Sequence, residues 1–181
     1  MARFYQESVR DIMNRPGEMR ERQLDIVVPD RFGEALAAIP EGEKLTLDLR
    51  LESVHEGILV SATARSTMHA ECGRCLEAFT APFQVEFQEL FAYTPTEADE
   101  YGVHGDHVDL EPPLRDAVVL ALPFQPVCRP DCPGLDPESG EPRDAEAAMA
   151  TNVDVDPRWA ALAEFKAVES SGSGVPESES N

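Results

Sequence analysis

The chain has few of the features that mark membrane proteins, secreted proteins or common hydrolases. Its longest apolar run, residues 117–124, is too short to cross a bilayer, and no charged, apolar-cored leader opens the sequence. No Ser/His/Asp order and no paired-carboxylate motif stands out. We therefore expect a non-enzymatic cytoplasmic protein without a membrane partner or a small-molecule substrate.

Basic residues are also scarce. Lysine and arginine number 15 against 35 acidic residues, which gives a formal net charge of −20. Five arginines face four acids in residues 1–22, whereas residues 133–181 hold three bases and eleven acids. A field of this sign repels phosphate backbones, so direct RNA binding should be weak, and encounters with basic proteins are favoured. A solubilising surface would have the same composition.

Cysteine occurs only four times, as two close pairs. Cys72 and Cys75 are separated by two residues, and Cys128 and Cys132 by three. Four thiolates fill the tetrahedral shell of Zn²⁺ and leave no position open for water, which describes a structural zinc site. The spacing therefore predicts that all four cysteines are metal ligands.

Two other uses of the cysteines stay open. Cys72 and Cys75 could form the redox pair of a thiol-disulfide oxidoreductase, but such a pair needs a helix N-terminus, and strands are predicted on both sides here. The cysteines could also bind no metal and form disulfides or remain free thiols. Reducing conditions in the cytoplasm favour metal ligation.

Hydrophobic periodicity predicts an α+β fold with an antiparallel meander of about four strands. Alternating apolar residues indicate strands near 20–28, 44–54, 57–71 and 79–92. The sequence from Cys72 to Cys75 then lies at a hairpin tip, as a zinc knuckle in which Gly73 relieves the backbone. Residues near 110–122 have the spacing of a largely buried helix that leads into the second cysteine pair.

Three further segments have weaker patterns. Val9, Ile12 and Met13 predict a short helix, and Asp30 can cap a second helix with Phe32, Ala35, Leu36 and Ile39 on one face. Residues 94–108 read as an acidic loop without periodicity. His104 and His107 lie in this loop near Asp99, Glu100, Asp106 and Asp109, where a second metal site is conceivable, but a solvated loop is the simpler interpretation.

Composition divides the chain into five parts. An arm with the short helix spans 1–19, a single zinc-binding α+β domain spans 20–135, and an acidic linker spans 136–155. A short aromatic helix at 156–168 would dock on its own domain or enter a partner groove. Residues 169–181 are rich in Ser, Gly and Glu and are expected to be disordered.

Several segments resemble the YceD family, the large ribosomal RNA subunit accumulation proteins. The resemblance rests on residues 51–61, 71–79, 108–123, 128–135 and 156–162, and covers roughly residues 20–167. Many members carry another cysteine pair just after the second loop, whereas residues 135–140 contain no thiol here. Only four candidate ligands remain, and the loss of one should disrupt the site.

The resemblance implies a bacterial protein that supports accumulation or processing of large-subunit ribosomal RNA, with no enzymatic activity. The implied partner is a basic ribosomal protein or a precursor particle of the large subunit. Arg74 and Arg129, one in each cysteine loop, would balance the charge of a Zn(Cys)₄ centre or contact RNA at a single spot.

Overall fold

The computed structural model describes residues 5–34, 36–97, 100–143 and 158. The strands are β1 (Gln6–Ser8), β2 (Met19–Val27), β3 (Ala37–Ala38), β4 (Lys44–Ser53), β5 (Gly57–Glu71), β6 (Ala78–Ala92), β7 (Tyr101–Gly102) and β8 (His107–Asp109), and the helix α1 spans Glu111–Ala121. This part of the chain is mostly sheet with one short helix, which is compatible with the predicted α+β class.

The larger sheet has six strands in the described residues. Its order is β2-β4-β5-β6-β7, and β3 pairs with one end of β5. All neighbours are antiparallel except β6 and β7. β1 and β8 form a separate two-stranded sheet. The four long strands begin and end within two residues of the predicted bounds, while the short β1, β3, β7 and β8 were not predicted.

Alternation along the long strands explains the core. The four leucines of β4 at positions 45, 47, 49 and 51 are buried, and Thr46, Asp48 and Arg50 between them lie on the other face. Ile58, Val60 and Ala64 continue the buried face on β5, and Phe83 and Phe91 do so on β6. Tyr5, Val9 and Ile12 from the N-terminal segment pack into the same core.

The hairpin of β5 and β6 is longer than the strand beside it. β5 and β6 pair over 15 residues, from Gly57 opposite Ala92 to Glu71 opposite Ala78. On the other side of β5, β4 pairs with it only between Ile58 and Arg65. Beyond Arg65, β3 is the one strand of the described residues on that side. The hairpin tip, residues 72–77, is therefore carried beyond the main part of the sheet.

Helix α1 packs mainly against β6. Asp109 Oδ1 accepts a hydrogen bond of 3.0 Å from the Glu111 N–H, and two prolines occupy the first turn. Leu114 and Val118 are buried, whereas Val119 and Leu120 are 44% and 85% exposed. The prediction of a largely buried helix is therefore wrong, because only one face of α1 reaches the core.

Two predicted helices are absent from the described residues. Phe32 and Ile39 pair across an antiparallel bridge and Ala37 and Ala38 form β3, so the helix expected after Asp30 is wrong. The segment around Val9 forms a turn in which Met13 N–H donates to the Val9 carbonyl oxygen, but no helix follows. Residues 94–108 were expected to lack regular structure but contain β7 and the start of β8.

The chain divides after Pro142 into two units. Of the second unit, residues 143–181, the structure describes only Arg143 and Arg158, so the helix predicted at 156–168 and the tail at 169–181 lie outside the described residues apart from Arg158. In the described part of the chain, no helix has the length and apolar character that crossing a membrane requires.

Candidate metal centre

The four cysteines lie in two turns that follow different elements. Cys72 comes directly after β5, and Cys75 lies in the tip before β6. Cys128 and Cys132 lie in the segment that follows α1. The structure thus brings together two pairs that are far apart in the sequence, and Pro126, between α1 and Cys128, accepts a hydrogen bond from the hairpin tip at Gly73.

The hairpin tip is closed by two backbone hydrogen bonds. Cys72 N–H donates to the Glu77 carbonyl oxygen, and Leu76 N–H donates to the Cys72 carbonyl oxygen, each at 2.9 Å. The turn places Leu76, not Gly73, in the left-handed region, with a φ of 60°. The expectation that Gly73 relieves the backbone is therefore wrong, and a non-glycine residue adopts the strained conformation.

The second turn depends on a glycine that sequence reasoning missed. Gly134 has a φ of 78°, and a Cβ at this position would lie 3.2 Å from the Arg74 carbonyl oxygen. Both the conformation and this close approach favour glycine. The Pro133-Gly134 dipeptide is a turn signal that could have indicated the position.

Protein hydrogen bonds join the two turns without any metal. Gly73 N–H donates to the Pro126 carbonyl oxygen at 2.8 Å. Arg74 Nη1 donates to the carbonyl oxygens of Pro130 and Cys132, at 3.1 and 3.0 Å. The Arg74 guanidinium thus holds the opposite turn through Nη1. Its contact with RNA or with the thiolate charge stays a prediction.

Arg129 has a different environment. Its Nε lies 3.5 Å from Asp131 Oδ1, and its side chain is 55% exposed. An exposed pair of this kind contributes little to stability. Arg129 therefore does not join the two turns through this ion pair, and its contact with RNA or with the thiolate charge stays a prediction.

The sulfur geometry fits a tetrahedral metal ion. Cys72 Sγ lies 3.8 Å from Cys132 Sγ, and Cys75 Sγ lies 3.8 Å from Cys128 Sγ. All four sulfur atoms lie within 4.8 Å of one another. Four sulfurs at the Zn–S bond length of about 2.3 Å would be separated by about 3.8 Å at tetrahedral angles. All four cysteines are free thiols, so no disulfide competes for the site.

The four cysteines are associated with a small core of their own. Cys72, Cys75 and Cys132 form a buried cluster separate from the main hydrophobic core. Phe79 and Leu135 pack against this cluster, and Phe79 also contacts the main core. Burial keeps water away from the sulfurs, as expected for a closed structural site.

The pKa values of Cys72, Cys75 and Cys128 are shifted in different directions. Backbone hydrogen bonds from Cys128 and Cys75 lower the pKa of Cys72 to about 6, although burial opposes the shift. The Glu77 backbone lowers the pKa of Cys75, but burial and the sulfurs of Cys72 and Cys132 outweigh it, so the net pKa is raised. Burial, followed by the neighbouring sulfurs, raises the pKa of Cys128 to about 12. Four thiolates crowded in one site need a cation to coexist.

The two loop histidines are placed apart from this centre. His104 and His107 face each other across an antiparallel bridge, and His107 Nδ1 lies 2.6 Å from Asp106 Oδ1. Within the described ranges, only the four cysteines have ligand atoms close enough together to hold a metal ion. The described part of the loop therefore gives no support to a second metal site.

Several known proteins are similar in sequence to this chain. The uncharacterized protein Rv2926c of Mycobacterium tuberculosis is 47% identical over 163 residues, which cover 86% of this chain and 78% of the relative. The uncharacterized protein ML1660 of Mycobacterium leprae is 39% identical, covering 84% of this chain and 73% of the relative. The uncharacterized protein YlbN of Bacillus subtilis is 29% identical over 55% of this chain and 61% of its own.

A family model agrees with these relatives. It is described as "Large ribosomal RNA subunit accumulation protein YceD" and matches residues 60–166, which include all four cysteines. No solved structure matches the chain significantly. The predicted family resemblance is confirmed, and this chain belongs to the YceD family.

Proposed function

We propose that this protein is a non-enzymatic ribosome-biogenesis factor of the bacterial cytoplasm that supports accumulation or processing of large-subunit ribosomal RNA. A structural Zn²⁺ ion held by Cys72, Cys75, Cys128 and Cys132 would make the hairpin tip a zinc knuckle. The observation that carries the proposal is the cluster of four sulfurs, three of them on buried cysteines, in a chain that belongs to the YceD family.

The metal would give rigidity and take no part in a reaction. Its four protein ligands leave no position for a substrate or an activated water. Zn²⁺ would neutralise the thiolate charge and hold the residues after α1 against the tip. Arg74 and the Gly73 N–H already orient the two turns for this purpose.

The acidic surface suits a basic protein partner better than bare RNA. A net charge of −20 disfavours approach to phosphate backbones and favours a lysine-rich and arginine-rich ribosomal protein or a precursor particle that displays one. Tight binding of naked ribosomal RNA with a steep salt dependence would contradict this part of the proposal.

A thiol-disulfide oxidoreductase has less support. Cys72 follows a strand directly, so no helix dipole lowers its pKa. Its side chain is fully buried, although the backbone lowers its pKa to about 6, and a substrate disulfide could not reach it. Reversible oxidation of Cys72 and Cys75 without release of metal would support the oxidoreductase instead.

Depletion of the protein in a host bacterium tests the proposed role. Large-subunit ribosomal RNA should fall relative to small-subunit RNA, and free large subunits should decline in a sucrose gradient. Wild-type protein and Val127→Ser should restore both, while Cys128→Ser at equal protein level should not. An unchanged RNA ratio on depletion would refute the role, and rescue by Cys128→Ser would refute the need for the metal centre.

A further inference from the structure

A groove runs between α1 and β6, beside the edge of β6 that does not face β5. It has a volume of about 460 Å³ and is lined by Val85–Glu89 of β6, by Tyr101, and by Asp116, Ala117 and Leu120 of α1. Val85–Glu89 belong to the part of β6 that pairs with β5 on one side only, and their side chains alternate between the two faces of the sheet.

This edge of β6 is open. In the described residues β6 pairs with β5 on one side, and on the other side only Phe91 and Ala92 pair, with β7. A long strand with unpaired N–H and C=O groups is a template for another strand. β2 at the opposite end of the sheet is also an edge, but it is shorter and carries both acidic and basic side chains, at Arg20, Glu21, Arg22 and Asp25.

The groove combines apolar surface with uncompensated negative charge. Leu120 is 85% exposed at its rim, and Val85, Phe87 and Ala117 are partly buried beside it. Glu86, Glu89 and Asp116 also line it, and no lysine, arginine or histidine does. These carboxylates do not approach closely enough to hold a metal ion. The cation that balances them is therefore expected on a partner.

Neighbouring groups in the described part of the chain supply no cation to these acids. Arg115 pairs with Glu111 at 3.2 Å and lies over the Phe32 ring, so it is engaged elsewhere. Tyr101 donates a hydrogen bond to Asp116 at 3.2 Å, which brings no positive charge. Burial raises the pKa of Glu89, and the charges of Glu100 and Asp116 add to this.

The outer face of the sheet is a larger concavity but a weaker candidate. Its volume is about 820 Å³, and it contains both acids and arginines. Asp48 is paired there with Arg65 and Gln23, and Arg50 with Glu52. Because these charged side chains already have partners within the protein, the outer face offers fewer unpaired charges to a charged partner.

We propose that an extended basic segment of a protein partner binds in this groove, adds a strand to the open edge of β6 and places lysine or arginine side chains against Glu86, Glu89 and Asp116. Apolar residues of the segment would contact Leu120 and Phe87. The proposal rests on the basic protein partner of the proposed function and assigns a surface to it.

A synthetic peptide of repeated Lys-Lys-Val-Val units, which presents lysine and valine on both faces of an extended strand, provides the probe, with the zinc-loaded full chain as receptor. Nuclear magnetic resonance should show shifts of the amides of Val85–Glu89 and slower hydrogen exchange along this edge on binding. Asp116→Lys should weaken binding at least about tenfold, and its charge-matched control Glu21→Lys on β2 by less than about threefold. Leu120→Ser tests the apolar contact without a change in charge and should also weaken binding.

Strand addition can be tested separately through the N–H groups of the peptide backbone. Alternate N–H groups of an added strand face the edge, so N-methylation of one alternate set should abolish binding and methylation of the other set should be tolerated. Equal binding of the two methylated peptides would overturn strand addition. Equal weakening by Asp116→Lys and Glu21→Lys would reduce the effect to overall charge and overturn the site.

Three further results would overturn the proposal. One is a set of shifts confined to the outer face around Thr63, and another is an RNA oligonucleotide that perturbs the groove in place of the peptide. The third is protection, before peptide is added, of those Val85–Glu89 amides that do not face β5, which would mean that another segment covers the edge. Failure of the proposed function is separate. A normal RNA ratio after depletion refutes the cellular role, whereas full rescue by an Asp116→Lys variant that binds no peptide refutes only the groove.

Discussion

Replacement of Cys128 by serine should abolish zinc binding and loosen one corner of the protein without unfolding the rest. The metal would close a loop that contains the 52 residues between Cys75 and Cys128. By analogy with a covalent cross-link, closing a loop of this length contributes about 4 kcal/mol, which sets the scale of the loss. The hydrogen bonds between the turns reduce it, so we expect a loss of about 3 kcal/mol.

The separation of the two cores predicts where the damage appears. The main core contains none of the cysteines, so β4, β5 and the body of β6 should remain folded in the variant. The tip and the segment after α1 should exchange amide hydrogens faster. Metal content, measured after purification under reducing conditions, and urea unfolding with and without a chelator check these expectations.

Val127→Ser is the matched control, since it places serine in the same loop on an exposed side chain that is not a ligand. It should keep stoichiometric zinc and nearly the full free energy of unfolding. The joint site would be refuted if Cys128→Ser kept zinc or if Val127→Ser lost it. It would also be refuted if zinc had no effect on the unfolding of the wild-type protein.

Three other predictions follow from the same geometry. Zinc affinity should rise at least about a hundredfold per pH unit near neutrality, because the raised pKa values of Cys75 and Cys128 mean that these two thiols must release a proton to bind the ion. Competition with a chelator across pH measures the slope, and a flat profile would contradict the prediction. Arg74→Ala should cost roughly 1–2 kcal/mol and speed zinc transfer to a colorimetric chelator, with Arg74→Lys intermediate; an unchanged transfer rate in Arg74→Ala would count against the link between turns. Gly57→Ala should destabilise by roughly 3 kcal/mol, because its Cβ would lie 2.1 Å from the Phe91 carbonyl oxygen, whereas Gly73→Ala, with its nearest contact at 3.6 Å, should stay within about 1 kcal/mol; similar thermal shifts for both would refute this account.

The long strands could be predicted because their apolar period of two is set by burial of one face. Leucines 45, 47, 49 and 51 alternate without interruption, so no other element would bury all four. The prediction of a helix after Asp30 was wrong because Phe32 and Ile39, which would share a helical face, can also pair across an antiparallel bridge. A spacing of seven residues fits both structures, and contact with β5 decides between them.

The ligands of the candidate metal centre were predictable, but the contacts that orient them were not. Paired cysteines are visible in one dimension because each pair is a local chelating turn. The reach of Arg74 to the Pro130 and Cys132 carbonyls spans more than fifty residues and leaves no periodic trace. The left-handed conformation of Leu76 was hidden for a different reason, since leucine rarely adopts it.

The separation of the two cysteine pairs along the sequence means that the ribosome synthesises one pair several seconds before the other. Cys132 is translated 57 residues after Cys75, so at about 5–20 residues per second the first two sulfurs wait roughly 3–11 s for the other two. The hairpin of β5 and β6 is local and can form during this interval. At that stage the proposed zinc site would have only two of its four ligands, and it would be completed only when the sequence beyond α1 has left the exit tunnel.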